Sequence, residues 1–144
     1  MKAIIFDWTG TLYERGKSLF SFSERILKEL KPKYKLALIS RSVKPDKRKK
    51  AIEKSGISHY FDFIEVVSAK TKEKFLYCMN KLGVNPEETI VVDDRMSRAI
   101  KPGNDLGCET VWIQKGDRSF DAPTKDTGEP NHKIDSIQEL KNII

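Results

Sequence analysis

The chain has 144 residues, and its 27 Lys and Arg outnumber 21 Asp and Glu to give a formal net charge of +6. That length supports one sizeable core, so a single domain over residues 1–144 is expected. Apolar runs of only four or five residues cannot cross a bilayer, which excludes a membrane partner, while the basic excess favours anionic ones such as phosphorylated substrates.

In chain order, AIIF (Ala3 to Phe6) predicts a short buried strand that stops at Asp7, with Gly10 marking a sharp turn. A polar excursion follows. Ser21 and Glu24 then have capping-box spacing before Ile26, Leu27 and Leu30, which predicts a helix closed by Pro32. KLALIS (Lys35 to Ser40) predicts a second strand, and Pro45 opens a Lys-rich helix over about Asp46 to Ser55. Ile64 to Val67 predicts a third strand, and Phe75, Met79 and Leu82 share one face of the next helix, closed by Gly83. IVVDD (Ile90 to Asp94) is a fourth strand ending in acid, followed by a broken helix through Pro102 to Gly107. ETVWI predicts a fifth strand, residues 115–131 a surface loop, and Ser136 with Glu139 a capped terminal helix. Strands alternating with helices predict an α/β class: a three-layer, Rossmann-like parallel sheet with helices on both faces. Cys78 and Cys108 lack any metal or disulfide spacing, so they read as reduced thiols of a cytoplasmic protein, and two His leave zinc few ligands.

In such a sheet Asp7, Ser40 and the pair Asp93–Asp94 all emerge on one edge, the edge where open α/β folds place their chemistry. Lys70, Lys72 and Lys74 lie just before the helix that precedes the acidic fourth strand. This order of motifs, IIFDWTGTL, LALIS, the Lys cluster and VVDD with the downstream TVWI, resembles the haloacid dehalogenase (HAD) superfamily of aspartate-nucleophile hydrolases. The resemblance spans Ile4 to about Ile113. It implies a Mg-dependent phosphohydrolase, a phosphomonoesterase working through an aspartyl-phosphate on Asp7. Asp7, the backbone carbonyl of Thr9 and Asp94 would hold Mg²⁺. Ser40 would bind a phosphoryl oxygen, and a Lys would steady the charge, with Lys70 favoured by position and Lys72 next. Substrate contacts fall to Thr9, Gly10, Thr11, Ser40 and Arg41, the backbone N–H groups around Trp8 to Thr11 cradling oxygens. Arg95 is a further substrate contact to weigh, and Asp93 takes a place usually held by a small residue.

Two departures from the family pattern stand out. Thr9 replaces the acid that normally exchanges protons with the leaving group, a loss worth about 10²–10⁴-fold, so turnover should be slow. Thr at this place is similar to the transport ATPases of the same superfamily. The acid usually found five residues after Asp94 is Ala99, with Asp105 the next candidate. Only 32 residues separate Asp7 from Ser40, too few for a lid, which implies a capless member with an open site. Such a site admits a small phosphorylated molecule or an exposed phosphate on a macromolecule, unless a neighbouring copy in a homo-oligomer covers it. The basic Lys44 to Lys50 run gives nucleic acid a foothold, but no aromatic platform accompanies it. The competing reading is a catalytically weak or inactive descendant that keeps the fold and binds phosphoryl groups for recognition or assembly.

Overall fold

Strands β1 (Ala3–Phe6), β2 (Lys35–Arg41), β3 (Phe63–Val67), β4 (Thr89–Asp93), β5 (Glu109–Ile113) and β6 (His132–Ile134) form a parallel sheet in the order β3-β2-β1-β4-β5-β6. The computed structural model describes residues 1–115 and 121–144. Helices α1 (Ser23–Leu30), α2 (Pro45–Lys54), α3 (Lys72–Leu82) and α4 (Lys101–Leu106) are the crossovers between consecutive strands up to β5. Alternate strand residues feed two cores. Ile4, Phe6, Leu38 and Val92 pack with Ile26, Leu27 and Leu30 of α1 and with Ile52 of α2. Ile5, Ile39 and Val91 pack with Phe75, Met79 and Leu82 of α3. Burial on both faces is why the strands read as unbroken apolar runs rather than alternating ones.

The predicted helices form, with shifted ends. α1 starts at Ser23, two residues after Ser21, because the Ser23 hydroxyl donates to the Leu12 carbonyl at 2.6 Å and anchors the helix start to the preceding excursion. The broken helix before Gly107 is a single π-turn, Met96–Ile100, running into α4. The terminal segment is a 3₁₀ helix, Ile137–Asn142, rather than an α-helix, although the Ser136–Glu139 capping box is present. Its buried residues Ile137 and Leu140 lie three apart, a spacing that three residues per turn stack on one face.

β6 is an addition to the predicted sheet. It falls between the segment read as loop and the Ser136 cap, and of its three residues only Ile134 is buried, so it carries no apolar run. Of the predicted loop over 115–131, residues 116–120 lie outside the described residues. The remainder folds back on the domain: Asp121 accepts from Arg95 Nε (3.3 Å) and from the Ser97 hydroxyl (2.7 Å). Asn104 of α4 donates to the carbonyls of Thr127 and Glu129, and Thr110 of β5 donates to Asn104 and Asn131. Both cysteines are free and buried, and burial pushes each thiol up to about 12, well out of reactive range. No helix among the described residues is long and apolar enough to cross a membrane.

Candidate active site

The strand order reverses between β1 and β4, the switch point at which open α/β sheets leave a crevice beyond their carboxyl ends. Phe6 is paired with Val92, so the next residues, Asp7 and Asp93, leave the sheet side by side. Asp7, Asp93 and Asp94 are all buried, and each brings a carboxylate oxygen within 4.8 Å of the others. The expectation that the first and fourth strand ends face one another is met.

Lys70 reaches this cluster from the segment between β3 and α3. Its Nζ donates to Asp7 Oδ1 at 2.7 Å and to Asp93 Oδ2 at 2.8 Å, with only 2% of the side chain exposed. Thr71, the next residue, caps α3 by accepting from the Lys74 N–H, which fixes where the Lys70 side chain starts. Lys72 is exposed on the first turn of α3, so Lys70 is the lysine at the carboxylates. Both oxygens of Asp93 are engaged, Oδ2 by Lys70 and Oδ1 by the Arg95 N–H at 3.0 Å.

Burial and the neighbouring Asp93 push the Asp7 carboxyl up to about 6, even with Lys70 pulling the other way. Asp93 is likewise raised by burial and by Asp94, against the opposing pull of Lys70. Burial works against the Lys70 ammonium, but Asp7 and Asp93 outweigh it and hold its pKa above the ordinary lysine value. Asp7 and Asp93 share the Lys70 ammonium, and Asp94 brings a third carboxylate oxygen within 4.8 Å of theirs. Such a set of hard carboxylate oxygens fits a divalent cation of the magnesium type.

The turn after β1 puts Thr9 at the wall of a cavity of about 270 Å³ that Asp7, Asp93 and Asp94 also line. Gly10 has φ +85, a left-handed conformation that a side chain would strain. Its N–H donates to the Tyr13 carbonyl at 2.9 Å, and the Thr11 N–H to the Trp8 carbonyl at 3.2 Å. Gly10 and Thr11 therefore spend their N–H groups closing the turn, and of the Trp8 to Thr11 cradle only the Trp8 and Thr9 amides remain for a ligand. The Thr11 hydroxyl instead points to Asp7 Oδ2, 3.4 Å away.

Ser40 lies on the same rim but is fully buried beneath Arg48, whose Nη1 donates to the Ser40 hydroxyl at 2.7 Å. Arg41 and Arg95, read as substrate contacts, do line the cavity, and Arg15, Arg48 and Arg98 join them. These last three have no motif in the sequence. Arg48 did leave a signal: it lies four residues before the buried Ile52, hence on the inward face of α2. Asp105 pairs with Lys101 on α4 at 2.9 Å and takes no part in the acidic cluster, whose third carboxylate is Asp93.

Residues 18–113 match the family of haloacid dehalogenase-like hydrolases. Over 96% of its length the chain is 30% identical to the human N-acylneuraminate-9-phosphatase, of which it covers 56%. It is 32% identical to the glyceraldehyde 3-phosphate phosphatase of Methanopyrus kandleri over 62% of the chain and 40% of that protein. The chain thus spans about half the length of the curated relatives it matches. Among solved structures, a HAD phosphatase from Thermococcus onnurineus superposes with a TM-score of 0.83 at 18% identity, covering 99% of this chain and 97% of that one. A HAD-superfamily hydrolase from Geobacter sulfurreducens gives 0.78 at 12% identity over the whole of both chains, a likeness of fold. With the match over 18–113, the curated relatives and the paired acidic strand ends in agreement, the chain belongs to the haloacid dehalogenase-like hydrolase family.

Proposed function

We propose that this chain is a phosphohydrolase that removes phosphate from phosphomonoesters through an aspartyl-phosphate on Asp7. The observation that carries the reading is the buried Lys70 ammonium held 2.7 Å from Asp7 at the sheet's switch point, where Asp7 lines a cavity ringed by arginines. The relatives named as phosphatases support the same chemistry. A carboxylate nucleophile divides a hard displacement at phosphorus into two easier ones. An oxygen of Asp7 attacks phosphorus and the ester P–O bond breaks, the departing alkoxide taking its proton from solvent. Water then attacks phosphorus, the bond to Asp7 breaks, and inorganic phosphate leaves.

Lys70 keeps Asp7 aligned and opposes the charge of the phosphoryl group. Asp93, with both oxygens engaged, is a positioning residue: it holds Lys70 and the backbone of Arg95 in place. Ser40 accepts from Arg48 and so keeps its own proton for a phosphoryl oxygen, while Arg48 itself offers a second donor. Asp7, the Thr9 carbonyl and Asp94 are the groups that would hold Mg²⁺. When bound there, the cation offsets the mutual repulsion of nucleophile and phosphoryl group. Thr9 offers no acid to the leaving group, so poor leaving groups depart slowly.

Turnover of p-nitrophenyl phosphate, with and without magnesium, tests this reading. Wild type should turn over only with the metal, Asp7→Asn should abolish turnover, and Thr9→Asp should raise turnover of an alkyl phosphate, whose alkoxide leaves poorly, about tenfold or more. The absence of an acid at Thr9 favours one rival, a phosphoryl-binding protein without turnover. Inert wild type and inert Thr9→Asp, both still binding phosphate, would establish that rival.

A further inference from the structure

One scissile phosphoryl group does not account for the positive charge gathered at the cavity. Arg41 ends β2, Arg48 sits on α2, Arg95 precedes the π-turn and Arg98 lies within it, and Arg15 comes from the excursion after β1. Arg95 is held by Asp121 at 3.3 Å. Among the described residues, by contrast, no carboxylate lies within ion-pair distance of Arg41, Arg48 or Arg98. Burial opposes the charge on Arg98, and so do Arg41 and Arg95, while Asp93 and Asp121 favour it from beyond ion-pair distance. Arg48 is likewise opposed by burial and by Arg15, with Asp7 as its compensating neighbour. Arg48 donates to the Ser40 hydroxyl at 2.7 Å and has Asp7 as a neighbour, while Arg41 and Arg98 line the same cavity and act on each other.

A guanidinium offers parallel N–H donors in a fork that matches carboxylate and phosphate oxygens. We propose that the substrate is a small phosphomonoester carrying a second anionic group, a carboxylate or a phosphate, held by Arg41 and Arg98 while Arg48 serves the scissile phosphoryl group. This inference rests on the phosphohydrolase reading for which end of the ligand reacts, but its binding pattern is measurable without turnover. A small ligand is favoured over a polymer because the arginines converge on one cavity of about 270 Å³, whereas Lys47, Lys49 and Lys50 of α2 are exposed.

Calorimetric titration with three non-hydrolysable ligands of similar length tests it: propylphosphonate, 3-phosphonopropionate and propane-1,3-diylbisphosphonate. At least one doubly charged ligand should bind about ten- to a hundredfold more tightly than propylphosphonate, and comparing the two says which second group is preferred. Arg98→Gln should bring that ratio close to one. Arg41→Gln, at an exposed position, carries the same expectation should Arg98→Gln fail to fold. Lys50→Gln removes a charge of the same sign from the exposed face of α2 and should leave the ratio unchanged. Equal binding of all three ligands by wild type would overturn the proposal, as would a ratio that survives both arginine variants. A 5′-phosphorylated oligonucleotide binding more tightly than either doubly charged ligand would overturn it in favour of a polymer. Discrimination among phosphonates without any phosphoester turnover would keep this site and sink the hydrolase reading. Turnover without discrimination would do the reverse.

Discussion

With 2% of its side chain exposed, Lys70 places one ammonium between Asp7 and Asp93, so removing it strands two carboxylates in a dry environment. Lys70→Met should abolish phosphatase activity and cost about 3–5 kcal/mol of stability at about pH 8. The sign of the pH dependence follows from the carboxyls. Asp7 is already pushed up to about 6, and without Lys70 it rises further. The cost of ionising it is present above the folded pKa and vanishes as pH falls toward the unfolded value. Thermal denaturation should therefore show a larger loss at about pH 8 than at about pH 5; equal losses would mean that Lys70 acts only by packing. Asp7, Ser40, Lys70 and Asp94 were legible in sequence because strand ends and short motifs fix their backbones. Arg98 was not, since an arginine on a π-turn looks the same whether its long stem points to solvent or to a cavity, and Arg48 left only its helical register with the buried Ile52.

At the element scale, α4 lies against β4 and β5 at Gly103. A Cβ there would sit 2.8 Å from Thr110 Cγ2 and 3.5 Å from Val91. Thr110 cannot easily yield, because its hydroxyl is bound by Asn104 and Asn131. Gly103→Ala should thus lower stability by about 1–3 kcal/mol despite alanine's better helix propensity, read as a fall in denaturant midpoint. An unchanged midpoint would show that α4 can shift outward freely. Five strands were legible because each carries a run of apolar residues long enough to fill two cores. β6 was not: it has one buried residue and is recruited by hydrogen bonds, Asn131 accepting from the Thr110 N–H and the Gln114 N–H donating to Ile134. The terminal helix was legible from its capping box, which specifies a start but not the three-residue pitch that follows.

For the molecule as a whole, the parallel sheet gathers every strand's carboxyl end on one rim, and the reversal of order at β1 and β4 decides where on that rim the acids meet. That much follows from alternating strands and helices, which is why the fold class was legible without side-chain detail. Because burial raises Asp7 to about 6, the protein without metal should lose stability as pH rises through that value, and a divalent cation held by the acids should restore it. Magnesium should raise the unfolding midpoint by about 3–5 °C at about pH 8 and by clearly less at about pH 5, where protons compete for the site. Calcium or magnesium shifts of equal size at both pH values would count against binding at Asp7.

The two silent sulfurs have a practical corollary. Since Cys78 and Cys108 are the chain's only thiols and burial keeps both from ionising, an engineered surface cysteine would be its sole fast-reacting group toward alkylating dyes. Val43, 79% exposed on the cavity wall, is the natural place for Val43→Cys, whose labelling rate would then report occupancy of the cavity directly.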